Sequence, residues 1–108
     1  MRTHQQIDAR SLALHQLIAT RLRSEPALFE HCKRTLARWQ TSVSASSQPY
    51  LQRWEQLFEE GLDASLNMAT DNSQLATALR QCSPFVRVLT NTERWDFLNQ
   101  WNSDHASE

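Results

Sequence analysis

The stretch "CSPFVRVLTNTERWDFL", residues 82–98, decides how the chain is read. Its first part, "PFVRVL", is apolar and partly β-branched, but it is too short and isolated to build a sheet. Phe85, Val88 and Leu89 are therefore expected to plug a gap between neighbouring helices. The next four residues, Thr90-Asn91-Thr92-Glu93, form a capping-box pattern. In it the threonine hydroxyl accepts from an orphan amide of the first turn, and the glutamate reaches back to the cap's own N–H. A helix follows over 91–101, with Trp95, Leu98 and Trp101 on one face and Phe97 beside it. The stretch is a corner between two helices.

Working outward, the same helical grammar covers the chain. A first helix is expected over 3–23. Its Ile7, Leu14, Leu17, Ile18 and Leu22 fall within about 140° on a wheel of about 100° per residue. Ser24 and Pro26 are read as the cap and first turn of a second helix over 26–41. There Phe29, Cys32, Leu36 and Trp39 form one stripe. "TSVSASSQ", residues 41–48, is small and polar, as a loop or hinge is. A third helix over 49–60 places Leu51, Trp54, Leu57 and Phe58 inward, and Gly61 suits a left-handed position at its end. Asp63 starts a short helix over 63–69 carrying Leu66 and Ala69. Asn72 or Ser73 caps another over 73–82, with Leu75, Ala78, Leu79 and Cys82 inward, and Ser83-Pro84 stops it. The expected fold is all-α: a single compact domain of five to six helices over residues 1–102, with no sheet. Residues 103–108 read as a disordered tail.

Composition agrees with that class and excludes others. The 108 residues suffice for one domain, which buries roughly 65% of its unfolded surface. One glycine and three prolines are too few for a hairpin-rich β protein, and 40% hydrophobic residues are too many for disorder. Phosphate-cradling loops need more glycine than this chain has. The N-terminal "MRTHQQIDARSL" is polar, so neither a signal peptide nor a membrane span is expected, and the chain reads as cytoplasmic. Cys32 and Cys82 stand alone and read as reduced, buried thiols. No cofactor or metal is expected, since His4, His15, His31 and His105 show no ligand spacing. Nor is catalysis: Cys82 ends a helix, where the dipole disfavours a thiolate.

Charge and aromatic placement point to partners. Residues 1–54 carry a net +5 and residues 55–108 a net −6. Such asymmetry is expected of a nucleic-acid arm with an acidic tail, of halves that face each other in one fold, or of a homodimeric scaffold that pairs them between subunits, and dispersed basic residues favour the last two. Three of the four tryptophans follow an arginine: Arg38-Trp39, Arg53-Trp54 and Arg94-Trp95. Adjacent helical residues point about 100° apart, so such a pair sets tryptophan in the core and arginine at its edge. Arginine and tryptophan are also the residues that dominate protein–protein contacts. On a protein-binding reading Arg38, Arg53, Arg87 and Arg94 are the polar anchors, beside Phe85 and Val86. A DNA-binding reading uses Arg10, Arg21, Arg23, Lys33, Arg34 and Arg38 on phosphates. The slightly negative total and the acidic second half weigh against nucleic acid.

"IDARSLALHQLIATRLRSEPALFEHCKRTLARW" (7–39) and "ALRQCSPFVRVLTNTERW" (78–95) together resemble a group of small all-helical bacterial proteins of uncharacterised activity. These share an RxLALHxxIAxxLRxxPxL opening and an xxSPFxxVLxxxERW closing. The resemblance covers about half the chain. It implies an antitoxin-like protein, encoded beside a nucleotidyltransferase-type or other toxin, that masks this neighbour. Where the group often has a small pair after SPF, this chain has Val86-Arg87.

Overall fold

The computed structural model of the chain describes residues 4–42 and 44–105. Among them are six α-helices and no strand: α1 (His4–Ser24), α2 (Phe29–Gln40), α3 (Gln48–Glu60), α4 (Leu62–Ala69), α5 (Gln74–Arg80) and α6 (Asn91–Asp104). Short 3₁₀ turns, Pro26–Leu28 and Ala45–Ser47, lead into α2 and α3. The sequence thus builds the expected all-α single domain. The α3 helix packs between α2 and α4, and α1 lies against α4 and α5. Among the described residues no helix is long and apolar enough to cross a membrane, and no group of three metal-ligating side chains is gathered.

The core is built on the α3 stripe. Leu51, Trp54, Leu57 and Phe58 are buried as their spacing requires. Trp54 is fully enclosed and donates its indole N–H to the Leu79 carbonyl at 3.0 Å, so its one polar group is satisfied. Phe85 enters from the corner, also fully buried, and meets Trp54 edge-on at 5.3 Å and Phe58 at 5.7 Å between ring centroids. Val88 and Leu89 are buried beside it, which completes the plug that the apolar passage suggested.

The capping box is present with both of its bonds. Glu93 N–H donates to Thr90 Oγ1 at 3.1 Å, and Thr90 N–H donates to Glu93 Oε1 at 3.0 Å. Ser73 is the residue that caps α5, accepting from the Ala76 amide at 3.1 Å.

Several local expectations are corrected. Ser24 caps nothing downstream; its hydroxyl turns back to the Arg21 carbonyl, Pro26 opens the 3₁₀ turn, and α2 starts at Phe29. The buried face of α1 is His15, Ile18, Ala19 and Leu22, while Ile7 and Leu17 are 41% and 40% exposed. The inward face of α5 is Ala76, Leu79 and Arg80, with Leu75 outside. The α5 helix also stops at Arg80 rather than running to Cys82. Cys82 is only half-buried, and both thiols are free. Burial pushes the Cys32 thiol up to about 12, so it is not a thiolate at neutral pH. The α6 helix continues to Asp104, through the first residues of the expected tail; residues 106–108 of that tail lie outside the described set.

Gly61 has the positive φ that its place after α3 called for, but not the left-handed basin. At φ 125° and ψ 178° it occupies a region open essentially to glycine alone. A Cβ there would meet no atom within 4 Å, so only the backbone resists substitution. Gly61→Ala is accordingly expected to cost about 1–3 kcal/mol of unfolding free energy with helix content unchanged. Urea unfolding followed by circular dichroism measures it. A loss under about 0.5 kcal/mol, the range of ordinary surface changes, would contradict the assigned backbone.

Candidate functional site

The two halves of the chain meet where α1 crosses the corner at residues 83–87. His15, on the buried face of α1, lies with Nδ1 2.7 Å from the Ser11 carbonyl oxygen and Nε2 2.8 Å from Ser83 Oγ. A carbonyl can only accept, so Nδ1 carries the proton and Nε2 accepts from the Ser83 hydroxyl. Ser83 Oγ in turn accepts from the Phe85 amide at 3.3 Å. The imidazole stands edge-on to the Phe85 ring, with centroids 6.3 Å apart.

Beside this pair opens a cleft of about 300 Å³ between α1, the corner and α6. Its polar wall is Arg10, Ser11, His15, Arg80, Ser83 and Arg94. Ile7, Leu14, Ile18, Val86 and Leu98 form the apolar remainder. Arginines from three separate elements thus face one small space that no carboxylate lines.

Arg80 is held there by the end of α4. It is only 6% exposed, and its Nη1 donates to the carbonyls of Ala69 at 3.1 Å and Asp71 at 2.7 Å. The first is one of the orphan acceptors that a helix C-terminus leaves and the second lies just beyond it, and a guanidinium satisfies both. Its Nη2 reaches Thr77 Oγ1 at 3.2 Å, and its Nε–H is buried without a partner. Arg94 donates through Nη2 to the Val86 carbonyl at 3.0 Å, tying α6 to the corner. Arg21 joins the same seam by an ion pair with Glu93, the capping-box acid.

The cleft sets the charge on His15. Burial is the main cause that takes its pKa from 6.5 down to about 4; the Ser11 carbonyl opposes this, and the charges of Arg80 and Arg94 add to it. The imidazole is neutral at pH 7. Ser83 and His15 bear a formal likeness to a nucleophile and its base, but a base with a pKa near 4 is poorly matched to proton abstraction at neutral pH. The bond reads as a clasp between α1 and the corner.

Of the residues expected to anchor a partner, Arg94 and Val86 line the cleft and Arg87 is exposed at the corner. Phe85 is 0% exposed and supports the corner from beneath, so it offers no surface to a partner. Arg38 is exposed on α2, and Arg53 bonds along α3 to Gln56 at 3.2 Å; neither lines the cleft. The Arg-Trp steps separate by burial: Trp54 is enclosed, Trp39 half-buried, and Trp95 is 64% exposed. Among the six cations of the DNA-binding reading, Arg21 pairs with Glu93 and Glu25, and Lys33 pairs with Glu30. Those two charges are answered by neighbouring carboxylates, while no ion pair joins Arg10, Arg23, Arg34 or Arg38 to an acid among the described residues.

Sequence reasoning missed the site made by His15, Arg80 and Ser83. The available signal was a polar residue interrupting an apolar stripe in "LALHQLI" and "ALRQCSPF". Compared with known proteins, the chain matches no family model, no curated protein and no solved structure.

The depressed His15 pKa has a definite linkage sign. The unfolded imidazole takes its proton near 6.5 and the folded one only near 4. The stability it contributes is therefore present above 6.5 and is lost as pH falls toward 4. Between pH 7 and pH 5 the wild type is expected to lose about 2 kcal/mol more than His15→Gln. Urea unfolding of both chains at the two pH values reads the difference. Equal losses would mean that the buried ring is not held neutral.

Proposed function

We propose that this chain is a cytoplasmic protein-binding module that masks a partner protein encoded nearby, in the manner of an antitoxin. It acts by binding and not by catalysis. The observation that carries the reading is α6. No residue of this helix is buried, although it holds two tryptophans, a phenylalanine and a leucine. Trp95 is the most exposed large hydrophobic residue among those described. Phe97, Trp101 and His105 stack on one another along the helix, with ring centroids 6.1 and 3.8 Å apart. A helix in a small domain normally hides its aromatic residues, so aromatic surface left at one edge marks an interaction site.

The corner supports the same surface. The Arg94–Val86 bond fixes the start of α6 against residues 86 and 87, which brings the exposed Arg87 to the base of that helix. Arginine and tryptophan around one helix start are the residues expected to carry most of a binding energy. The two stretches that resemble the antitoxin-like group are the ones that build this seam: α1 supplies Arg21, and α6 supplies Glu93 and Arg94.

The test is co-expression of the tagged chain with its genomic neighbour, followed by size exclusion at high salt. The expected result is a stoichiometric complex. Within it, Trp95→Ala is expected to weaken binding by about 2 kcal/mol, roughly thirtyfold, with Arg87→Ala following at about 1 kcal/mol. Tyr50→Ala, on α3, is expected to leave affinity unchanged. Elution alone at high salt, or a complex indifferent to Trp95, would refute the assignment.

A further inference from the structure

We infer that the cleft between α1, the corner and α6 is a binding site for one carboxylate carried on an apolar body. Arg10 lines the cleft, and its five N–H donors make no hydrogen bond or ion pair with the described residues. Arg94 has committed only one terminal nitrogen, to Val86. Arg80 has committed both terminal nitrogens to Ala69, Asp71 and Thr77, and keeps one buried Nε–H without an acceptor. A buried donor left unpaired is costly, and an incoming acceptor relieves it.

The charge balance points the same way. Three guanidinium groups face the cleft and no acid lines it. Asp8, half-buried on α1, acts on Arg80 from outside the lining and offsets part of that charge. The remaining positive field also helps to hold His15 neutral, so Ser83 and His15 add no further cation to the wall.

The class of anion follows from the rest of the wall. Nearly half of the lining is aliphatic, from Ile7, Leu14, Ile18, Val86 and Leu98. A fully hydrated anion gains nothing from such a surface. A carboxylate takes one guanidinium as a two-point partner, which is the donor set that Arg10 leaves free. A phosphate dianion is the more strongly hydrated anion, and it loses more than a carboxylate with an apolar body does by lying against that aliphatic wall. Volumes near 300 Å³ lie at the lower end of small-ligand sites, which suits a short chain or one residue. The carboxylate is borne either by a free small acid or by a segment of a protein. The site does not depend on the Trp95 surface, and each can fail alone.

The test is NMR titration of the isotope-labelled full chain, following the Arg10 and Arg94 Nε–H signals and the Ser83 amide. The probes are hexanoate, hexanol, inorganic phosphate and the peptide acetyl-Leu-Glu-Leu-amide. Hexanoate is expected to give saturable shifts with a Kd on the order of 1 mM, and hexanol to bind at least about tenfold more weakly. Arg10→Gln, which removes no hydrogen bond or ion pair among the described residues, is expected to weaken hexanoate by about tenfold or more. A peptide about tenfold tighter than hexanoate assigns the carboxylate to a protein segment, and equal or weaker peptide binding assigns it to a free acid. The inference is overturned by no saturable shift with either acid, by hexanol or phosphate binding as well as hexanoate, or by undiminished binding to Arg10→Gln.

Discussion

A neutral imidazole, bonded at both nitrogens and packed edge-on to Phe85, joins the first helix of this protein to a corner 68 residues further along the chain. Much else follows from that clasp. It fixes which face of α1 turns inward and sets Ser83 beneath the Phe85 amide. It also places Arg10, on the same helix, in the wall of the cleft that Arg94 lines. The ring that Phe85 presents to His15 also meets Trp54 and Phe58, so the clasp and the aromatic core share one side chain. Loosening either would be felt by the other, because close-packed interiors transmit small displacements.

The polar seam has a second function, in local accounting. Short helices leave many orphan groups: α4 has eight residues and α5 seven. Arg80 answers the carbonyls at the end of α4, Ser73 answers an amide at the start of α5, and Thr90 and Glu93 answer each other at the start of α6. These residues turn a string of short helices into a body with defined corners. A by-product is a cluster of guanidinium groups near the surface whose own donors are only partly used. The cleft and its unlined positive charge are thus consequences of how the corners are made.

Much of this was legible in the sequence, and the failures have physical reasons. Trp54, Leu57 and Phe58 could be placed inward because a full stripe at helical spacing has one way to be buried. The Thr90–Glu93 box could be placed because its two bonds are local. Ile7 and Leu17 were misplaced because burial on α1 depends on what packs against it, and with α4 and α5 as its neighbours the buried face is His15, Ile18, Ala19 and Leu22. Leu75, expected inward, is outside and Arg80 is inside for a related reason. Residue type sends arginine outward, but the carbonyls of Ala69 and Asp71 draw this one inside. The His15–Ser83 bond lay beyond local reading, since no spacing rule pairs an α1 imidazole with a hydroxyl at the other end of the chain. Of the expected anchors, those at the corner, Val86, Arg87 and Arg94, are brought together, while Arg38 and Arg53 lie on other elements.

The most direct test of this account is the protonation state of one ring. Long-range nitrogen–proton NMR of the labelled chain at pH 5.5 distinguishes the two neutral tautomers of His15 from its imidazolium. The clasp requires the neutral form with the proton on Nδ1, held by the Ser11 carbonyl, and Nε2 accepting from Ser83. A His15 that is protonated at pH 5.5, or neutral with its proton on Nε2, would contradict the clasp and the arrangement of the cleft built upon it.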